Sequence, residues 1–187
     1  MMALGCERWP LRTTAMLLAV GSTVSVARAD IIVTEGMQPW ETCASCHSLD
    51  GISVMARFPK LAGQRGDYIA KQVRDFRDGR RSNDGGQMVA TASEINDADL
   101  AKAAAYFAGL PAPPPNPSPA TDGAEWRRGA TLYQDGDAAA GIERCRACHD
   151  DAEHSKPQGP HLKAQHAAYL AKQLRDWRSG ERKNDVS

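Results

Sequence analysis

Two copies of one pentapeptide constrain this chain more than anything else in it: Cys43-Ala44-Ser45-Cys46-His47 and Cys145-Arg146-Ala147-Cys148-His149. Two cysteines three apart, with a histidine directly after the second, form the attachment signature of c-type haem. Each thiol adds across a haem vinyl group to give a thioether bond. The histidine that follows then lies beneath the iron as its proximal ligand. The spacing predicts two covalently bound haem c groups, held by Cys43, Cys46, Cys145 and Cys148, with His47 and His149 on the irons. A double-CxxC zinc site would leave about 15–20 residues between its pairs, whereas these motifs are offset by 102. A redox dithiol would need a thioredoxin-like βαβ context, and the pattern has none.

Residues 1–29 read as a secretory signal. Arg8 and Arg12 give a positive start, the run from Thr13 to Ala27 is mostly apolar, and Ala27-Arg28-Ala29 is a small-x-small cleavage site. A membrane anchor is the alternative. The run is interrupted by Gly21, Ser22 and Ser25, and it is short for a spanning helix of about 20 residues. Cleavage after Ala29 would remove Cys6 and leave four cysteines, all within the haem motifs. It would also place the protein in the periplasm, outside the reducing cytoplasm, where covalent haem attachment takes place. No other long apolar stretch occurs, so the mature chain is expected to be soluble. The whole chain has a formal charge of zero, and the signal carries a net +2, so the mature chain is near −2. That balance argues against nucleic acid as a partner.

Removing 29 residues from 187 leaves 158, enough for one domain or two small ones. The stretch Pro111-Ala112-Pro113-Pro114-Pro115-Asn116-Pro117-Ser118-Pro119 decides for two, because it suits an extended, semi-rigid spacer. The expected organisation is a signal (1–29), a first domain (30–110), a linker (111–122) and a second domain (123–187). Each domain is small enough to need a staple, and a covalently held apolar haem disc is one. The domains repeat one another: between 67–84 and 168–185, 11 of 18 positions are identical. A period this long marks a duplicated domain rather than a solenoid.

The coarse structure is all-α. Ile69, Val73 and Phe76 follow helical spacing, as do Leu170, Leu174 and Trp177, and both helices should stop at Gly79 and Gly180. A further helix is expected from Ala98 to Leu110, capped by Asn96 or Asp97, and another from Glu125 to Gln134 with Trp126, Ala130 and Tyr133 on one face.

A sixth iron ligand must come from the far side of the haem. Met88 lies 41 residues after His47 and follows the polar stretch Asn83-Asp84-Gly85-Gly86-Gln87, read as a loop, where a buried thioether would otherwise be odd. Met55 is too close to His47 to reach the far face, and Met37 precedes the motif; both are expected in the haem pocket or core. Pro59 and Pro160 follow their histidines by 12 and 11 residues. Each is placed to offer a carbonyl to the proximal imidazole N–H, which would fix the ring and raise its basicity.

With these residues in view the chain resembles the cytochrome c4 family, exported dihaem proteins built from two class I cytochrome c domains and a linker. The resemblance rests on both CxxCH motifs, on Phe58-Pro59-Lys60-Leu61-Ala62-Gly63-Gln64, on the repeated Tyr-x-x-x-Gln helix, on Gly79-Arg80-Arg81-Ser82-Asn83 before Met88, and on Asn96-Asp97-Ala98-Asp99-Leu100 leading to Ala104-Ala105-Tyr106-Phe107. It implies Met88 as axial ligand of the first haem and a role as electron carrier in a respiratory chain, not an enzyme. Its partners would be redox proteins: a donor complex and a terminal oxidase or dehydrogenase, with membrane association only through them. The alternative is the cytochrome subunit of a periplasmic dehydrogenase, such as a flavocytochrome sulfide dehydrogenase. The repeat would put the second domain's methionine near position 189, and no methionine follows Met88. The second domain is therefore expected to be incomplete, lacking its C-terminal helix, or else unusual. His154, His161 and His166 are the remaining strong donors there, and none is well placed: His161 sits on the proximal side and His166 reads as a surface residue.

Overall fold

The computed structural model describes residues 36–115, 123–149 and 159–185. The signal, its cleavage site, Cys6, His154 and the linker from residue 116 lie outside the described residues. Those described are helical: α1 (Pro39–His47), α2 (Gly66–Arg77), α3 (Gln87–Glu94), α4 (Asp97–Gly109), α5 (Ala124–Asp135), α6 (Arg146–His149) and α7 (Ala167–Ser179), with a single 3-10 turn at Ala138–Ala140. Among the described residues there is no strand, only isolated bridges at Arg81–Arg182 and Asp137–Ile142. No described helix is long and apolar enough to cross a membrane.

Local chemistry accounts for the helix ends. The Asn96 side chain accepts from Asp99 N at 2.9 Å and caps α4. α7 stops where Gly180 turns left-handed, at φ +79°. α2 ends two residues before Gly79, at Arg77, with Asp78 as its cap. In the first half, α2 packs on α3 and α4, and α1 packs on α4. Ile69, Ala70, Leu100, Ala104 and Phe107 are the buried centre, with Trp40, Cys43 and Val73 against it. Trp40 of α1 stacks on Tyr106 of α4 with ring centroids 4.6 Å apart, and the Tyr106 hydroxyl donates to Leu49 O at 2.9 Å. The end of α1 is thereby fixed at the point where it delivers Cys43, Cys46 and His47.

The second half repeats the α2 segment as α7 with a different environment. Phe76 is 4% exposed, whereas its counterpart Trp177 is 40% exposed and Leu174 is 68% exposed. Trp126 of α5, on the expected apolar face, is 46% exposed.

The halves meet through polar side chains that the repeat supplies twice. Gln72 Oε1 accepts from Arg81 Nη1 at 2.7 Å and from Arg182 Nη2 at 3.2 Å. Gln173 Oε1 reciprocally accepts from Arg182 Nη1 at 2.8 Å and Arg81 Nη2 at 3.0 Å. Asn184 Nδ2 donates to Asp75 Oδ2 at 2.6 Å, and Asn83 Nδ2 to Asp176 Oδ2 at 2.5 Å. Gln165 brackets the backbone of Lys60, and Gln64 brackets that of His161, with four bonds of 3.0 Å. This is the reciprocal pattern of a two-fold contact between like surfaces, residue i meeting j and j meeting i.

Three carboxylates in this contact are held below the usual carboxylate range. For Asp75 and Asp176 burial opposes ionisation, but the lysine one helical turn away (Lys71 or Lys172) and the asparagine of the other half outweigh it. Asp185 is likewise lowered: burial opposes it, and Lys71 and Arg182 prevail. Groups with lowered folded values stabilise the native state fully above the unfolded carboxylate value and lose that contribution as pH falls through the folded one. Thermal stability is therefore expected to hold from neutrality down to about pH 5 and to fall steeply below about pH 4. Melting curves across that range check this, and Asp75→Asn should flatten the acid limb. A limb equally steep in the variant would remove Asp75 from the account.

Candidate functional site

The CxxCH segments end helices in both halves. His47 is the last residue of α1 and is 5% exposed. Its Nδ1 donates to the Pro59 carbonyl at 2.7 Å. His149 ends α6, and its Nδ1 donates to Pro160 O at 2.8 Å. Both carbonyls are therefore where the sequence predicts. Each bond fixes the ring and leaves Nε2 as the free donor nitrogen, the arrangement an iron ligand requires. Burial pushes the His47 imidazole below its ordinary range, partly opposed by its bond to Pro59, so it is neutral as a ligand must be.

The surroundings of the two rings differ. The Phe58 ring meets His47 edge-on at 6.0 Å and carries the Arg57 guanidinium 4.5 Å above its face. The repeat places Gly159 at the position of Phe58. There the backbone comes so close that a Cβ would lie 2.6 Å from His149 Nδ1, so only glycine fits beside the ring.

Cys43, Cys46, Cys145 and Cys148 form no disulfide with one another, Cys46 being exposed and the others half-buried. Before haem is attached, burial pushes the Cys43 thiol up to about 11. Two cysteines on one turn, followed directly by an imidazole oriented through its Nδ1 bond, fit the attachment of a c-type haem in each half. Among the described residues no group of three or more His, Cys, Asp and Glu side chains is set to hold a metal ion by itself.

Met88 is not in a loop. It lies in the first turn of α3, half-buried, after Gly85 and Gly86 in left-handed conformations at φ +76° and +88°. Sequence reasoning missed this helix because its N-cap is Gly86, which offers no side chain; Asp84 accepts from Met88 N and Gly86 N instead. Met37 and Met55 are 39% and 50% exposed and do not belong to the buried core. His166 is not a surface residue. Its Nε2 bonds to Ser53 O at 2.9 Å and Ser53 Oγ at 3.1 Å, tying the start of α7 to the first-half loop between His47 and Pro59. His161 is half-buried at the contact between halves.

Residues 33–111 match the family described as Cytochrome c. Cytochrome c4 of Pseudomonas aeruginosa is 36% identical over 179 residues, covering 91% of this chain and 83% of the relative. The chain belongs to the cytochrome c4 family. A crystal structure of reduced recombinant cytochrome c4 from Pseudomonas stutzeri superposes with a TM-score of 0.65 at 34% identity, covering 78% of this chain and 79% of that one. The thiosulfate dehydrogenase electron acceptor of Stutzerimonas stutzeri is 37% identical over 180 residues, covering 95% of this chain and 82% of the relative. The fold is thus the all-α cytochrome c arrangement expected from the sequence. As a member of this family the chain is a c-type cytochrome electron carrier with covalently bound haem c.

Proposed function

We propose that this protein is an exported dihaem electron carrier serving a respiratory chain. The first haem is attached through Cys43 and Cys46 and ligated by His47 and Met88. The second is attached through Cys145 and Cys148, with His149 as its proximal ligand. The mature chain begins after Ala29 and works in the periplasm as two domains, 30–110 and 123–187, flanking the linker at 111–122. The observation that carries this reading is the matched pair of imidazole-to-carbonyl bonds, His47 to Pro59 at 2.7 Å and His149 to Pro160 at 2.8 Å. Both proximal histidines are pre-oriented, so the second motif is not a relic. A histidine–thioether iron keeps its coordination through oxidation and reduction, which suits outer-sphere transfer. Two irons in one molecule permit storage of two electrons or passage between domains.

Mass spectrometry of the exported protein tests the cofactor count. The expected mass is that of the polypeptide from Asp30 plus two haems. A single haem would reject the dihaem reading, and a retained signal would reject the cleavage site.

A second reading is supported by the Stutzerimonas stutzeri relative, a thiosulfate dehydrogenase electron acceptor. On that reading the chain takes electrons from a periplasmic dehydrogenase, as its soluble acceptor or as its cytochrome subunit. Reduction of the purified holoprotein by a sulfur-compound dehydrogenase, compared with reduction by a quinol-oxidising complex, separates the two. Co-purification of a catalytic subunit would favour the second.

A further inference from the structure

The dipeptide Asn-Asp occurs at the same place in both halves, as Asn83-Asp84 and Asn184-Asp185, but the two aspartates do different things. Asp185 stays in the contact between halves, accepting from Lys71 Nζ at 2.5 Å and Arg182 Nη2 at 2.7 Å. Asp84 turns away from that contact. One of its oxygens accepts from Gly86 N at 3.1 Å and the other from Met88 N. Helix α3 has glycine at its N-cap, so no cap side chain meets the unpaired N–H groups of its first turn, and Asp84 supplies the acceptor from two residues upstream. Its negative charge also suits the positive end of the helix.

The residue before it is fixed from the other side. Asn83 Nδ2 donates to Gln173 Oε1 at 3.1 Å and Asp176 Oδ2 at 2.5 Å, and the Asn83 carbonyl accepts from Lys172 Nζ at 2.7 Å. All three partners are on α7 of the second half. Asn83 is therefore anchored to the second half, and its neighbour grips the backbone of Met88. Only the left-handed Gly85-Gly86 pair and Gln87 intervene.

We propose that Asn83-Asp84 is a positioning pair through which the second half, by Lys172 and Asp176 of α7, sets how firmly Met88 is held at the first haem. The proposal rests on the reading of Met88 as sixth ligand. A stronger grip raises the cost of displacing the thioether, so contact between halves stabilises the ligation state of the first iron without touching it.

The test uses the full-length ferric holoprotein and imidazole as the competing ligand. The near-infrared methionine–haem band present in the wild type and absent in Met88→Ala defines the first-haem signal. Its loss is then followed against imidazole concentration. Asp84→Ala removes a cap contribution of about 1 kcal/mol and should lower the imidazole midpoint roughly fivefold. Lys172→Met and Asn83→Ala should each lower it by about twofold to fivefold, although Lys172 is in the other half. Asp84→Asn keeps one acceptor oxygen and should return most of the wild-type midpoint. Midpoints unchanged in both Lys172→Met and Asn83→Ala would overturn the proposal, even if Asp84→Ala responds. Should Asp84→Ala fail to load haem, those two variants still decide. Survival of the band in Met88→Ala would instead overturn the ligand reading itself.

Discussion

Replacing Met88 by alanine in the dihaem protein is expected to abolish the near-infrared methionine–haem band of the first haem and to lower that haem's potential on the order of 0.2 V, within the ~0.8 V that axial ligands span. A thioether favours the reduced iron, so its replacement by water or hydroxide shifts the couple downward. Haem attachment should survive, because Cys43, Cys46 and His47 lie on α1 and are held by the packing of Trp40 on Tyr106 and by the Pro59 carbonyl. Methionine-to-histidine exchange at the same position should restore a six-coordinate low-spin iron while leaving the potential low. Potentiometric titration with near-infrared detection distinguishes these outcomes. An unchanged band and potential in Met88→Ala would mean that another donor occupies the sixth position.

What could be read from the sequence follows from the range of the interactions involved. The helices around Ile69–Phe76, Leu100–Phe107 and Leu170–Trp177 are encoded by local spacing, and each ends within a residue or two of where the sequence stops it. The Pro59 and Pro160 carbonyls were readable because a covalent motif fixes where the imidazole must be. Helix α3 was not, since its cap is borrowed from Asp84 across two glycines that look like a loop.

The contact between halves was missed for a different reason. Its signal lay in the repeat, in which residues are kept identical. The large apolar positions on the helix face differ between halves, Ile69 against Leu170, Val73 against Leu174, Phe76 against Trp177, whereas Lys71, Gln72, Asp75, Arg81 and Asn83 recur unchanged as Lys172, Gln173, Asp176, Arg182 and Asn184. A core tolerates exchange among apolar side chains of similar volume. A reciprocal polar contact requires the same donors and acceptors on both faces. The misjudgement of His166 as a surface residue has the same origin, because its partner Ser53 is 113 positions away.

That contact is expected to contribute strongly to stability, and Gln173 is where the effect should be largest. Arg81 and Arg182 are 5% and 2% exposed, and Gln173 between them is 4% exposed. Each guanidinium lies over an aromatic ring, Arg81 on Phe76 at 4.5 Å and Arg182 on Trp177 at 4.0 Å. Arg182 has a carboxylate partner in Asp185, but Arg81 relies on amide oxygens and a hydroxyl: Gln72, Gln173, Asn83 and Tyr169. The single Gln173 oxygen thus meets two buried cations and Asn83. Gln173→Met keeps the length of the side chain and removes that acceptor, leaving charged donors buried and underpaired. The expected cost is about 3 kcal/mol, which lowers the melting temperature of a chain this size by about 9 °C. Gln173→Glu keeps an acceptor at the same place and adds a charge opposite to the two guanidiniums, so it should melt close to the wild type. Gln72→Met should behave like Gln173→Met, and the double variant should lose less than the two costs combined, because both amides serve the same arginines. Thermal melts of the wild-type holoprotein and these four variants read this out directly. Equal melting temperatures for Gln173→Met and Gln173→Glu would show that the amide acceptor does not hold the halves together and would shift that role to the Asp75–Asn184 and Asp176–Asn83 pairs.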